Sequence, residues 1–197
     1  MPPLLFGLYC MSLPVIIIGA GAAGLMCAIS AAQNGKQVTV LDHANKAGKK
    51  ILISGGGRCN FTNLYTEPSN FLSNNPHFCK SALKRYTQWD FIAQVDKAEL
   101  PWTEKKLGQL FSDNKSEAIL NMLLDQCQEL GVQIQLDCKI NKIVKNDDDS
   151  FTLTTNQGEV NCASLVIASG AMSFPTMGAT DFGHRIAQQF DIKLTDT

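Results

Sequence analysis

The sequence predicts an α/β domain built on a parallel sheet, and three stretches of the chain support this. Val15 to Ile18 is a continuous apolar run, typical of a strand buried on both faces. A glycine-rich turn and a helical pattern follow and end at Gly35, a residue that commonly stops a helix. A second apolar run, Val38 to Leu41, then ends at the acidic Asp42. Strand, helix and strand in this order form the unit from which parallel sheets are built.

The turn after the first strand has the spacing Gly19-x-Gly21-x-x-Gly24, filled by Ala20, Ala22 and Ala23. In dinucleotide-binding folds the first glycine permits the tight turn, the second lets the backbone approach a pyrophosphate, and the third lets the helix pack on the strand. The free N–H groups at the start of the helix favour the phosphates. Asp42, at the end of the second strand, can accept hydrogen bonds from an adenosine ribose. Together these features predict a Rossmann-like dinucleotide-binding domain.

A second glycine-rich segment follows the second strand. After His43 the chain reaches a basic pair, Lys49 and Lys50, and then a short apolar stretch that stops at Ser54. Three consecutive glycines follow: Gly55, Gly56 and Gly57. Successive glycine N–H groups can form an anion-binding concavity. The missing side chains would also let a flat ring system lie against the backbone. A glycine-rich hairpin or a mobile loop is the alternative that the pattern leaves open.

Composition excludes several other classes. At 197 residues, with 45% apolar and 18% charged residues, the chain is typical of one globular domain. A net charge of −1 favours neither a nucleic-acid nor a membrane partner. The seven cysteines show no C-x-x-C spacing, which indicates reduced thiols in a cytoplasmic protein and no zinc site. Residues 1–11 are apolar but too short to span a membrane, so we expect a disordered leader before a domain covering 12–197.

Three blocks of sequence carry a resemblance to a known family. The stretch GKKILISGGGRCNFTN, with VIIIGAGAAGL before it and LVIASGAMSFPTMGATDFGHRIA after it, resembles the bacterial BaiN-like flavoproteins, also described as aminoacetone-oxidase-like NAD(P)/FAD-dependent oxidoreductases. The resemblance begins near Pro14 and implies an FAD domain of the glutathione-reductase type, with a parallel sheet and a small β-meander. It implies FAD contacts from Gly19 to Gly24, Asp42 and the loop Gly55 to Asn60. Arg58 and Asn60 are then polar contacts to the cofactor, and the backbone near Lys139 and Ile140 lies beside the adenine. The small residues Ala168, Ser169 and Gly170 would pack against the cofactor.

Cys59 follows the glycine loop and invites a redox interpretation. The disulfide reductases of the wider superfamily carry a C-x₄-C pair in the matching loop, but Leu64 stands where the second cysteine would be. One thiol cannot form a dithiol relay, which needs two sulfurs on closely spaced residues. We therefore interpret Cys59 as a small packing residue.

The rest of the chain gives a coarser prediction. Residues 76–95 show helical spacing with Trp89 and Phe91 as core, and ELPWTEKKLGQLF suggests two irregular strands. A helix over residues 114–130 is expected to be capped at Ser112 or Asp113 and to end before Gly131. Alternating residues from Val132 predict a strand and then hairpins, with an acidic turn at Asp147–Asp149. ASLVIASG predicts a buried strand, and a last helix should begin near Thr180 or Asp181.

The leading functional hypothesis is an FAD-binding oxidoreductase that moves hydride between the flavin and NAD(P)H or a small organic substrate. No second G-x-G-x-x-G occurs, so NAD(P)H would be a transient reductant without its own domain. The resemblance implies a longer chain with an inserted substrate domain and a later segment completing the flavin pocket. The FAD domain is therefore expected to be incomplete. The alternative is a noncatalytic nucleotide-binding module that needs a complementing C-terminal polypeptide. A short NAD dehydrogenase is disfavoured because no tyrosine carries a Tyr-x-x-x-Lys partner.

Overall fold

The computed structural model describes residues 13–172 and 180–195, and its centre is a four-stranded parallel sheet. The strand order is β10-β1-β2-β6, formed by Ser164–Ile167, Val15–Ile18, Val38–Leu41 and Gln133–Gln135. β1 pairs with both β10 and β2, and every pairing in this sheet is parallel. The predicted α/β fold class with a parallel sheet is therefore confirmed. The expected leader, residues 1–11, and the segment 173–179 lie outside the described residues.

Helices cover one face of the sheet. α1, Ala22–Gln33, connects β1 to β2 and ends at Asn34, with Gly35 at φ 73° as the predicted helix stop. α5, Lys115–Glu129, packs against α1 and against the short helix α2, Lys49–Ile53. A four-residue 3₁₀ turn, Ser54–Gly57, follows α2. This layer places the second glycine segment beside the start of α1.

The two faces of the sheet belong to two cores. Successive strand residues point to opposite sides. Ile17 and Val40 pack into the core shared with α1 and α5. Ile16, Ile18 and Leu41 pack into a second core shared with the β-meander and with α6, Phe182–Gln189. Burial on both faces explains why β1 reads as an unbroken apolar run.

Two antiparallel sheets flank the parallel one. The predicted β-meander is β7-β8-β9, formed by Ile140–Lys145, Phe151–Thr155 and Gly158–Cys162. The other sheet has the order β3-β5-β4, formed by Asn60–Asn63, Gln109–Ser112 and Trp102–Glu104. β3 leaves the glycine loop directly, so this sheet is anchored at the same place as the loop.

Three predictions about the elements need correction. The helical stretch before Val95 is two helices, α3 (Lys80–Arg85) and α4 (Gln88–Lys97). Trp89 is 58% exposed and is not core, because α4 turns Phe91, Ile92 and Val95 inward instead. β10 is half-buried rather than buried, because it forms an edge of the sheet.

The start of α5 also differs from the prediction. Neither Ser112 nor Asp113 caps the helix, whose N-cap is Asn114. The Ser112 hydroxyl donates to the Lys115 carbonyl, and the Asp113 carboxylate accepts from the Thr103 hydroxyl. Both side chains are therefore already committed to other bonds. The helix ends before Gly131 as predicted, and α6 begins after Asp181 as predicted.

Candidate functional site

A cavity of about 440 Å³ lies at the carboxyl ends of β1, β2 and β10. This is the edge of a parallel sheet at which such folds bind their ligands. Its lining includes most of the residues that the sequence proposed for the cofactor: Gly19, Ala20, Gly21, Ala22, Ala23, Asp42, His43, Lys49, Lys50, Ser54, Cys59, Asn60, Ala168, Ser169 and Gly170. Three segments that are distant in sequence thus meet in one place.

The three glycines of the first turn do different work. Gly19 has φ +112°, and a Cβ there would lie 2.3 Å from the Ala168 carbonyl oxygen. A Cβ at Gly24 would lie 1.8 Å from the Gly19 carbonyl oxygen, because α1 crosses the turn closely. At Gly21 a Cβ would meet nothing within 4 Å. The outer two glycines are required by the protein itself, and the middle one keeps open a space that faces the cavity.

Asp42 braces the turn from the neighbouring strand. Its Oδ2 accepts from the Ala20 N–H at 2.7 Å, and its Oδ1 accepts from the Ala44 N–H at 2.8 Å. His43 Nδ1 lies 3.5 Å from Oδ1. The Asp42 carboxylate therefore connects the first glycine turn, Gly19 to Gly24, to the loop after β2.

Gly48 is a site residue that the sequence reasoning missed. Its N–H donates to the Ala20 carbonyl at 2.8 Å, so it holds the second segment against the first turn. Its φ is +67°, and a Cβ would lie 2.3 Å from Leu120 Cδ1. The signal was available in the sequence as a lone glycine immediately before a helix, at the position that becomes its N-cap.

The three consecutive glycines form a left-handed turn. Gly55, Gly56 and Gly57 have φ values of 56°, 67° and 83°. A Cβ at Gly55 would lie 2.7 Å from the Phe111 ring and 2.8 Å from the Asn60 nitrogen. Gly56 is open within 4 Å, and Gly57 has only the Leu52 carbonyl at 4.0 Å. The run is needed for its backbone conformation and, at Gly55, for close approach to an aromatic ring.

Several predicted site residues lie away from the cavity lining. They are Gly24, Gly55, Gly56, Gly57, Arg58, Lys139 and Ile140. Ser54 and Cys59 line the cavity, whereas the turn between them leads outward and leaves Arg58 exposed. The Lys139 N–H donates to the side-chain Oδ1 of Asn156 at 2.6 Å, and the Lys139 carbonyl accepts from the Asn156 N–H at 3.1 Å. The roles assigned to these residues stay predictions.

Cys59 is 6% exposed and belongs to the main core, as its interpretation as a packing residue requires. Burial raises the pKa of its thiol above the ordinary 9.0, an effect that a hydrogen bond with Ser54 partly opposes. The thiol is therefore protonated at neutral pH. The Cys59 backbone is in the left-handed region, at φ 51°, which is uncommon for a residue other than glycine.

The cavity has both charged and apolar lining. Lys46, Lys49 and Lys50 line it together with Asp42, which gives the lining a surplus of positive charge. Large apolar side chains from five elements complete the lining: Met26, Ile51, Phe61, Phe91, Ile119 and Leu123. Phe61 and Phe91 lie with their ring centroids 5.9 Å apart. A ligand with a polyanionic part and a flat apolar part matches this lining.

The residues around the cavity fit a dinucleotide. The open space at Gly21 lies at the N-terminus of the twelve-residue helix α1, whose dipole and free N–H groups favour a diphosphate.

Within residues 13–172 and 180–195, no group of three or more His, Cys, Asp or Glu side chains could hold a metal ion. Over the same ranges, no helix combines the length and apolar character needed to cross a membrane.

The fold and the cavity define the class of this protein: a Rossmann-like domain of the FAD-binding type. The chain belongs to the family of the HI0933-like protein Rossmann domain, which it matches over residues 13–197. The structure of the open conformation of a flavocytochrome c₃ fumarate reductase is similar with a TM-score of 0.60, at 19% identity, over 91% of this chain and 40% of that one. A 3-ketosteroid-Δ4-(5α)-dehydrogenase from Rhodococcus jostii RHA1 gives a TM-score of 0.55, at 16% identity, over 85% of this chain and 48% of that one.

Curated relatives share more sequence. The ribosomal RNA dihydrouridine synthase of Escherichia coli K12 is 52% identical over 182 residues, which is 92% of this chain and 45% of that protein. The protein of the same name from Haemophilus influenzae is 50% identical, over 91% of this chain and 45% of that protein. The 3-dehydro-bile acid Δ(4,6)-reductase of Clostridium scindens is 25% identical, over 91% of this chain and 44% of that protein. The chain thus spans about half the length of these relatives. The sequence resemblance to BaiN-like proteins is not confirmed in particular, because identity to the bile-acid reductase is 25% and identity to the two synthases is 50% or more.

Proposed function

We propose that this chain binds FAD and serves as the cofactor domain of a flavin-dependent oxidoreductase. The observation that carries the proposal is the open space at Gly21, which lies at the start of α1 and faces a cavity lined by three lysines. The N–H groups of α1 and the lysines would hold the diphosphate. The apolar lining from Phe61, Phe91 and Ile119 would exclude water around the ring system. Bound FAD would supply an atom that accepts and donates hydride.

A titration of the purified chain with FAD tests this step. We expect flavin fluorescence to be quenched and visible absorbance to stay with the protein after gel filtration. Gly21→Ala adds a methyl group to the open space and should weaken binding, whereas Ser73→Ala, in an exposed loop, should not. Equal FAD binding by wild type and Gly21→Ala, or none by either, would contradict the proposal.

We further propose that the complete protein reduces uridine in ribosomal RNA to dihydrouridine. The support is the identity of 52% and 50% to two proteins with that name, spread over more than nine tenths of this chain. Saturating the uracil C5–C6 bond adds a hydride and a proton, so an external reductant is needed, and NAD(P)H is the class we propose. The prediction of no nucleic-acid partner, made from a net charge of −1, stands against this proposal.

The experiment uses ribosomal RNA from cells that lack the enzyme, together with FAD and NADPH. The chain is supplied with a polypeptide corresponding to the part of the E. coli relative that it does not match. Mass spectrometry of nucleosides should show dihydrouridine that depends on NADPH. A flavin that is reduced by NADPH while uridine stays unchanged would retain the FAD proposal and remove this one.

A second candidate function is a noncatalytic nucleotide-binding subunit that acts only with another polypeptide. It is favoured by the strong exposure of Leu72 (94%) and Phe78 (81%). Exposed apolar side chains close together in the chain are typical of a contact surface. Under this candidate, adding the complementing polypeptide should not restore any turnover of NADPH, although the two chains should copurify.

A further inference from the structure

The outer side of the glycine loop carries two cations on one aromatic ring. Arg58 Cζ lies 5.9 Å and Lys105 Nζ lies 4.3 Å from the centroid of the Phe111 ring. Phe111 stands opposite Asn60 on β3 and opposite Thr103 on β4, at the centre of the antiparallel sheet. The ring also contacts Gly55, where a side chain would collide with it. Both cations are therefore fixed relative to the loop that borders the cavity.

These two cations have no anionic partner in the part of the chain that the structure describes. No carboxylate oxygen there lies within 4.0 Å of Arg58 or Lys105. Contact with an aromatic face orients a cation but leaves its N–H groups able to bind an anion. Each of the two side chains is therefore able to bind a phosphate oxygen.

An exposed tyrosine lies in the turn that follows β3 of this sheet. Tyr65 is 65% exposed, and its ring rests on Gly108, where a Cβ would lie 2.6 Å from the ring. Asn63 fixes this arrangement: its Oδ1 accepts from the Tyr65 N–H, and its Nδ2 donates to the Leu107 carbonyl, both at 2.8 Å. Lys106, in the 3₁₀ turn Lys106–Gly108 that contacts Tyr65, is exposed. A ring supported on one face and open on the other is the usual platform for an unpaired base.

We propose that Arg58, Lys105 and Tyr65 form a binding surface for single-stranded RNA beside the cofactor cavity. This inference rests on the proposed function, and it assigns Arg58 to the substrate rather than to FAD. The cations bind the phosphate backbone, and Tyr65 stacks on a base next to the one that enters the cavity. Basic groups with an interleaved aromatic ring match the chemistry of a single-stranded nucleic acid. The position of the surface explains how a domain of net charge −1 can still bind RNA.

The test measures binding of a fluorescent oligouridylate by the FAD-loaded chain, with anisotropy as the readout, at salt concentrations from about 50 to about 200 mM. Removing both charges, in Arg58→Gln with Lys105→Gln, should weaken binding about tenfold. It should also lower the slope of log affinity against log salt by about 1.4, because each phosphate contact to a single strand contributes about 0.7. Tyr65→Ala should weaken binding about tenfold with an unchanged slope. FAD affinity should stay within about twofold of wild type in all of these variants.

Two further proteins act as controls. Lys36→Gln with Lys142→Gln removes the same charge from exposed positions elsewhere and should leave affinity within about twofold of wild type. Arg58→Lys with Lys105→Arg keeps both charges and should therefore keep the wild-type dependence of RNA affinity on salt. Circular dichroism and FAD binding verify the fold of every variant.

Several outcomes overturn the inference without touching the proposed function. They are normal FAD binding with no RNA binding by wild type, equal RNA binding by the Gln double variant, and an equal loss in the Lys36 and Lys142 control. A fall in FAD affinity on removing Arg58 would also overturn it, because Arg58 would then belong to the cofactor, as the sequence resemblance implied. Failure of the proposed function has a different signature, namely no flavin bound by wild type or no dihydrouridine formed.

Discussion

At the scale of single residues, the glycines of the first turn separate folding from binding. Gly24 has no room for a side chain because the Gly19 carbonyl lies where its Cβ would be. Gly21 has room for a Cβ, which would meet nothing within 4 Å, and an ordinary backbone conformation, with φ −89°. The two positions look alike in the sequence pattern, and only their surroundings distinguish them.

A pair of alanine substitutions tests this difference. Gly24→Ala forces α1 away from β1 and should lower the free energy of unfolding by about 3 kcal/mol or more. Gly21→Ala should change it by less than about 1 kcal/mol while weakening FAD binding. Urea unfolding followed by circular dichroism measures the first effect, and FAD titration measures the second. Equal stability of the two variants would show that the described packing around Gly24 is wrong.

Asp42 gives a second prediction at this scale. Both carboxylate oxygens accept backbone N–H groups, from Ala20 and Ala44. Asp42→Asn leaves one oxygen and replaces the other with a donor, so one N–H loses its partner. We expect the free energy of unfolding to fall by about 1–3 kcal/mol. The matched control is Asp137→Asn, at an exposed position, which should stay within about 0.5 kcal/mol of wild type in the same urea experiment.

At the scale of elements, one hydroxyl joins the two helices that support the glycine loop. Ser116 is 3% exposed, and its Oγ donates to the Leu52 carbonyl at 2.7 Å. This bond ties the first turn of α5 to the end of α2 and so fixes where the following 3₁₀ turn begins. The position of Ser54 at the cavity therefore depends on a residue far away in sequence.

Removing that hydroxyl should affect both stability and the site. Ser116→Ala leaves the Leu52 carbonyl unpaired in the interior and should cost about 1–3 kcal/mol in the free energy of unfolding. FAD affinity should fall as well, because the loop loses its anchor. Ser73→Ala removes a hydroxyl from an exposed loop and should alter neither quantity. Unchanged thermal unfolding of Ser116→Ala would mean that the loop is held by packing alone.

The same scale shows what the sequence could and could not predict. The β-α-β unit followed from glycine spacing and from apolar runs, because backbone geometry there permits few residues. The meander followed from residues alternating with a period of two. The cavity lining formed by Phe91 and Ile119 could not be predicted, because it depends on how α4 and α5 pack on distant elements. Trp89 was misplaced for the same reason: its helix has more apolar residues than its buried side accommodates.

At the scale of the whole molecule, buried thiols link stability to alkaline pH. Burial raises the pKa of Cys127 to about 11, from an ordinary 9.0, and raises those of Cys27, Cys59 and Cys162 above 9.0. The folded protein therefore keeps these protons at pH values where the unfolded chain releases them. The stabilisation is complete below pH 9 and is lost as the pH rises from 9 towards about 11.

Urea unfolding at a series of pH values from about 8 to about 10.5 measures this loss. Cys127→Ala should be less stable near neutral pH, but its stability should decline less steeply in alkali. Ile29→Ala, which removes no titratable group from the same core, should lose stability but retain the wild-type slope. A slope that is the same in all three proteins would rule out Cys127 as a contributor.

The parallel sheet has a consequence for the order in which the molecule is made. β1 is translated well before its partner β10, residues 164–167, and the Ala168 carbonyl packs against Gly19. Until β10 is translated, the turn from Gly19 to Gly24 lacks the neighbour that borders it on one side. A growing polypeptide should therefore be unable to capture its nucleotide before residue 168 has left the ribosome.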